Sequence, residues 1–197
     1  MSSETDFLND ALGQIGAERI DNIDDGSVNA NYCQTFYPAL RRAALRGHWW
    51  NFAEDRAQLA QDVTAPAFEF SFSYSLPASC LRIKEYNGAN LDTSNLDLIN
   101  IIRQFKIEGR KLLTNDGEVK IIFIKDITDP NLWDPLFYQA LATQLASKLA
   151  MAIPKSAKMS EALLVGAVDI LFPEAKAVDG QEGVITAFQV DDLTWGR

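Results

Sequence analysis

The apolar period changes twice along this chain, and that change restricts the fold more than any other feature. Over residues 3–16, Phe7, Leu8, Ala11, Leu12 and Ile15 recur at helical spacing behind Ser2 and Ser3, which predicts a capped amphipathic helix. Asp24-Asp25-Gly26-Ser27 reads as a turn, and a second helix is predicted from Ser27 to about Arg46. Cys33, Phe36, Tyr37, Leu40 and Ala44 form its apolar stripe, Pro38 should kink it, and Gly47 suits the C′ position. Arg41, Arg42 and Arg46 complement the negative end of its dipole. From Phe68 the period falls to two: Phe68, Phe70, Phe72, Tyr74 and Leu76 alternate with polar residues up to Pro77, as in a half-buried strand. Residues 81–86 read as a further strand and 87–100 as a loop. Segments 105–108, 111–114 and 118–125 read as a three-strand meander, with turns at Gly109-Arg110 and Asn115-Asp116-Gly117.

The helical period returns behind Asp134-Pro135, an N-cap acid followed by an N1 proline. Phe137, Leu141, Leu145 and Leu149 step by four, among alanines that permit close helix contact, until Pro154. A fourth helix is predicted from about Ser156, with Leu163, Leu164, Ala167 and Leu171 inward and Pro173 kinking or shortening it. Residues 179–197 lack helical periodicity and read as an extended arm.

Helices that flank a run of strands can pack together only if the strands project as an insertion. The predicted class is therefore α+β: an antiparallel-type bundle of about four helices (about 1–47 and 134–178), an inserted antiparallel β lobe (about 48–130) and an extended C-terminal arm (about 179–197). Trp49, Trp50 and Phe52, in the dense aromatic run after Gly47, are expected to anchor the passage from bundle to lobe.

A chain of 197 residues, 47% hydrophobic and 23% charged, suits a compact fold with a substantial core. Its net charge of −9 argues against gripping nucleic acid through the average field. The charge is uneven. Residues 1–31 carry seven acids and one base, a net of −6, whereas residues 32–57 carry four arginines and two acids, a net of +2. An acidic end beside a basic patch fits head-to-tail subunit contacts or, more plainly, solvated faces. Two cysteines, Cys33 and Cys80, are too few for a disulfide framework and sit in apolar settings. The acidic N-terminus lacks a basic n-region, and no apolar run approaches the ~20 residues of a membrane span. The expectation is synthesis and folding in a reducing cytoplasm, with no membrane contact.

Motifs for chemistry are few. One histidine and two distant cysteines do not supply a zinc site, and Asp21-Asn22-Ile23-Asp24-Asp25-Gly26 lacks the alternate ligands and terminal acid of a calcium loop. There is no nucleophile elbow, phosphate loop or dinucleotide fingerprint. His48 reads as a packed or capping residue. Adjacent acids such as Glu54-Asp55 or Asp191-Asp192 are the weak candidates for a glycosidase pair. The stripe at 68–74 reads as core or oligomer contact in preference to a base-stacking platform. No catalytic, cofactor-binding or metal-binding residue is expected, and the chain does not read as an enzyme.

Taken in order, Ala11-Leu12-Gly13-Gln14-Ile15-Gly16, Asp25-Gly26-Ser27, Ala30, Cys33, Tyr37 and Leu40-Arg41-Arg42 form one set. Trp50-Asn51-Phe52-Ala53, Arg56, Tyr74-Ser75-Leu76-Pro77 and Cys80-Leu81-Arg82 follow. Glu108-Gly109-Arg110-Lys111-Leu112-Leu113-Thr114-Asn115, the helix at 137–151 and Thr194-Trp195-Gly196-Arg197 complete it. This ordered set, spread over nearly the whole chain, resembles the tail tubular protein A family, the head-to-tail adaptors of short-tailed bacteriophages. The resemblance implies a helical bundle bearing a β domain and a structural role in the virion, without a cofactor. It implies a dodecameric ring of this chain, between the portal protein and the tail nozzle protein, around the channel through which genomic DNA passes without sequence-specific binding. Under it, Arg41, Arg42 and Arg46 read as cap and subunit-contact residues. Asp191, Asp192, Trp195 and Arg197 belong to an arm that reaches a neighbour or the portal. Two other readings are a tail-associated glycan hydrolase and a DNA-contacting assembly factor that uses the three arginines.

Overall fold

A computed structural model describes residues 3–91 and 104–182. The fold is mixed α+β, with four helical segments and two antiparallel sheets among the described residues.

Helix α1 (Glu4–Gln14) opens with a capping box: the Ser3 hydroxyl accepts from the Asp6 N–H at 3.1 Å while the Asp6 carboxylate accepts from the Ser3 N–H at 2.9 Å. Helix α2 (Val28–Arg46) starts at Ser27, whose hydroxyl accepts from the Ala30 N–H at 3.1 Å. It runs on through Pro38. Its buried face is Ala30, Cys33, Tyr37, Arg41 and Leu45, so the predicted stripe is rotated, with Phe36, Leu40 and Ala44 half-buried at its flank. Gly47 is not a left-handed cap. Its φ is −74°, its N–H bonds the carbonyls of Ala43 and Ala44, and a Cβ there would press on the Ala43 oxygen at 3.2 Å. Clearance, not a positive φ, is what glycine supplies at this position.

Helix α3 (Pro135–Ala152) is capped by Asp134, whose carboxylate accepts from the Leu136 and Phe137 N–H groups. It lies against α1, α2 and the C-terminal helices, and Phe137, Leu141, Leu145 and Leu149 are fully buried on it. Around Phe137, Trp50 and Trp133 sit edge-on at 4.9 and 5.6 Å between ring centres, an arrangement that adds to the burial energy of the rings. After Pro154 the chain forms α4 (Ala157–Val165), a π-helical turn (Gly166–Leu171) and α5 (Phe172–Glu182) in direct succession. Pro173 therefore does not shorten the helix. The π turn lies just before it, where a missing N–H and a bulky ring disfavour ordinary α-helical bonding. Of the predicted inward residues, Ala167 is buried, Leu163 and Leu171 are half-buried and Leu164 is exposed. The arm was placed too early: residues 179–182 are helical because Ala175 and Asp179 are buried against the rest of the fold, and residues 183–197 lie outside the described residues.

One sheet has the order β1-β7-β3-β4, from strands β1 (Glu54–Leu59), β3 (Cys80–Tyr86), β4 (Ala89–Asn90) and β7 (Val119–Lys125). The other has the order β2-β6-β5, from β2 (Phe72–Ser75), β5 (Phe105–Glu108) and β6 (Lys111–Thr114). The β5–β6 hairpin turns at Gly109-Arg110 as predicted. Residues 87–91 are not simply loop: Asn87 and Gly88, with φ of 46° and 85°, turn β3 onto β4, the two positive φ values of a type I′ hairpin. Residues 92–100 of that predicted loop lie outside the described residues. The three-strand meander does not form. Strand β7 leaves β6 and enters the other sheet between β1 and β3. Its alternating faces explain why: Ile121 and Phe123 join one core and Ile124 the other, so a central position buries both sides. The strand predicted from Phe68 begins only at Phe72, since Phe68 is 81% exposed and Glu69 turns the chain with a φ of 73°. No described helix is long and apolar enough to cross a membrane.

Candidate assembly surface

The three arginines of α2 have three different fates. Arg41 is 6% exposed, in the middle of the buried face, and donates to both carboxylate oxygens of Asp126 at 2.9 and 3.2 Å. Desolvation is the strongest single influence and works against its charge, but Asp126 and the neighbouring Tyr37 hydroxyl together outweigh it and hold the guanidinium pKa above its ordinary value. As a subunit-contact residue Arg41 is thus corrected: its charge points inward and is already used. Arg42 is exposed and approaches the same Asp126 at 3.6 Å. Arg46 is exposed and donates to the Leu81 carbonyl on β3. Asp191, Asp192, Trp195 and Arg197 lie outside the described residues.

A second polar junction ties the far end of the chain to the start of the sheets. Asp179, 5% exposed on α5, accepts from the Asn51 N–H at 2.9 Å and lies 3.2 Å from the His48 Nε2. The Asn51 side chain donates to the Asp179 carbonyl at 2.6 Å. His48 packs edge-on against Trp50, whose ring N–H donates to the Ala44 carbonyl at 3.0 Å. The aromatic run after Gly47 is therefore built into the core, with Phe52 5.1 Å from Phe137 and the Arg82 guanidinium 3.7 Å over the Trp49 ring. Asp126 and Asp179 carry these junctions, and sequence reading missed both. Each is a single acid in ordinary surroundings, recognisable only once a long-range partner is known.

The α4–π-turn segment exposes several apolar side chains, with the acids Glu161 and Asp169 exposed among them. Leu164, Val165, Val168 and Ile170 are between 39% and 61% exposed, and α4 buries no residue fully.

Of the acid pairs considered for hydrolysis, Asp191-Asp192 lies outside the described residues and Glu54-Asp55 does not converge. Glu54 and Asp55 are neighbours on β1 and pair separately, with Lys84 and with Lys125 at 3.0 Å, as opposite faces of a strand require. Glu69 and Glu108 line one concavity, but both are 55% exposed and Lys106 lies 3.9 and 2.9 Å from them. Both thiols are free and buried, and burial pushes Cys33 up to about 11, far from a reactive thiolate. Among the described residues no three His, Cys, Asp or Glu side chains converge as a metal site would need. Comparison with known protein families finds no match, and comparison with characterised proteins finds none either.

Proposed function

We propose that this chain is a ring-forming virion adaptor that joins a portal to a tail nozzle around the DNA exit channel, as the tail tubular protein A resemblance implies. The observation that carries the assembly role is the apolar ridge of Leu164, Val165, Val168 and Ile170. Exposed apolar surface of this kind marks a contact with another macromolecule, and a neighbouring copy in a closed ring supplies one to every subunit. In this reading the helices form a bundle from which the sheets project as an inserted lobe. Neighbouring bundles pack side by side through the ridge, and the lobe faces the next tail component. Residues 183–197, with Asp191, Asp192, Trp195 and Arg197, reach a neighbour or the portal, and Arg42 and Arg46 remain available at the surface. A net charge of −9 lets DNA slide past without adsorbing. The chain takes no cofactor, performs no catalysis and works in the virion after synthesis in the host cytoplasm.

The test is to mix the protein with its portal and image the product. A stacked ring below the portal is expected. Val168→Lys/Ile170→Lys should leave a folded chain that forms no closed ring, and a wild-type chain that never joins the portal overturns the reading.

A further inference from the structure

Three exposed arginines, Arg46, Arg82 and Arg110, line one groove of about 280 Å³ between the start of β3 and the β5–β6 hairpin. Its floor is apolar, with Leu81, Ile83 and Ile107 among its residues. Strand β4 pairs with β3 at Glu85 and Tyr86, and among the described residues no strand pairs with that edge of β3 around Cys80 and Leu81. The arginines close that edge. Arg46 donates to the Leu81 carbonyl, and Arg110 donates to the carbonyls of Cys80, at 3.1 Å, and Pro77. Arg82 is held over the Trp49 ring. None of the three has a carboxylate within 4.0 Å among the described residues. On a chain of net charge −9, three preorganised guanidinium groups without an acid partner among the described residues form a cationic receptor.

The complementary feature lies at the other end of α2. The connection from α1 to α2 presents Glu18, Asp21, Asp24 and Asp25, all exposed, against the single base Arg19. It is followed at once by Val28, which is 67% exposed. Asp25 and Asp24 are used locally, accepting from the Ser27 N–H at 2.7 Å and the Gln34 amide at 2.8 Å. The carboxylates of Glu18 and Asp21 make no bond within the described residues. Arg46 ends α2 and Val28 begins it, so the two patches are separated by the length of 19 helical residues, about 28 Å. They cannot meet within one chain.

We infer that the acidic α1–α2 connection of one copy docks in the Arg46–Arg82–Arg110 groove of the next copy, with Val28 against the apolar floor. The contact is heterologous: each copy offers a knob at one end of α2 and a groove at the other. Such contacts propagate in one direction and close into a ring when the rotation permits. The inference rests on the ring reading above and adds to it a subunit polarity set by charge.

Sedimentation velocity tests it, with three variants chosen to spare the fold. Glu18→Lys/Asp21→Lys reverses the knob, Arg82→Glu reverses the groove, and Arg82→Gln removes one charge. Circular dichroism and the melting temperature should match wild type for all three. At roughly 20 mM salt, where charges act over more than 10 Å, the wild-type chain should self-associate, and added salt should reverse this. Each charge reversal should weaken association roughly tenfold, with Arg82→Gln in between. Mixed together, the two reversed variants should associate more strongly than either does alone, because the intact knob of one meets the intact groove of the other. Combining both reversals in one chain should restore part of the longer association. Folded reversal variants that associate like wild type overturn the inference, as does a wild-type chain that stays monomeric to the limit of its solubility. Either result leaves the ring reading to the portal experiment, which fails or succeeds separately.

Discussion

The helical and sheet halves of this molecule are stabilised in different ways. The helical core is large and almost wholly apolar, a cluster of edge-packed rings set among alanines and leucines. The sheet core is a much smaller cluster, from Leu59 to Phe123, and is fastened by a buried polar network. In that network the Tyr86 hydroxyl donates to the Asp116 carboxylate at 2.6 Å and lies 2.8 Å from the Thr114 hydroxyl. The Thr114 hydroxyl donates to the Gln104 carbonyl at 2.7 Å, and the Tyr74 hydroxyl to the Asp116 carbonyl at 2.9 Å. A large core tolerates apolar substitution of similar volume, whereas a small core that relies on hydrogen bonds is sensitive to a single missing partner. The half-buried ion pair of Arg41 with Asp126 joins the halves, since Asp126 directly follows β7 and Arg41 lies on α2.

The largest effect should come from the ring cluster. Phe137→Ala removes the ring against which Trp50, Phe52, Trp133 and Phe172 pack and should cost about 3–5 kcal/mol, read from urea denaturation. A loss under about 1 kcal/mol would mean that the helical core is far looser than its packing implies. Next is the joint between the halves. Asp126→Ala strands the Arg41 charge and should cost about 3 kcal/mol, while Arg41→Met/Asp126→Leu should recover most of it. If the halves are separately stable, Asp126→Ala should also split the single thermal transition into two.

Tyr86→Phe should cost about 1–2 kcal/mol by leaving the Asp116 carboxylate short of a donor. Amide exchange should rise in β3 and β6 while α3 keeps its protection. Equal acceleration in α3 would erase the distinction between the halves.

The smallest effect is alkaline. Burial pushes Cys33 up to about 11 and Tyr37 up to about 12, from ordinary values of 9.0 and 10.0. Folded values above the unfolded ones stabilise the protein fully below pH 9, and this contribution is lost as pH rises through about 11. The urea midpoint should stay flat between neutrality and pH 9 and fall above it. Cys33→Ala/Tyr37→Phe should lessen that fall, the rest coming from Tyr86, Tyr74 and Cys80, which burial also pushes up. At neutral pH, Tyr37→Phe alone should change stability by no more than about 0.5 kcal/mol, because among the described residues the buried Tyr37 hydroxyl has no hydrogen bond of ordinary geometry to lose.

Helices were legible in the sequence because their signals are local. Ser27, Asp134 and Pro135 mark starts through contacts within three residues. The Gly109-Arg110 turn was legible for the same reason. Sheet order was not, since nothing near Val119 shows that β7 passes β6 to lie between β1 and β3. Strand β1 escaped notice because Glu-Asp-Arg-Ala-Gln-Leu buries only its last residue. In the surface itself, the exposed Arg42 and Arg46 are consistent with the pattern of α2. Arg41 was misread because its position on the buried face depends on an acid 85 residues away. Arg82 and Arg110 gain meaning only when β3 and the β5–β6 hairpin come together.

The Asp179 junction also defines a load path. A pull on residues 183–197 reaches the fold through α5, and Asp179 passes it to Asn51 and His48 before α3 bears any of it. The end of α5 is thus riveted to the connection between α2 and β1, and tension on it would be felt first where the helices give way to the sheets.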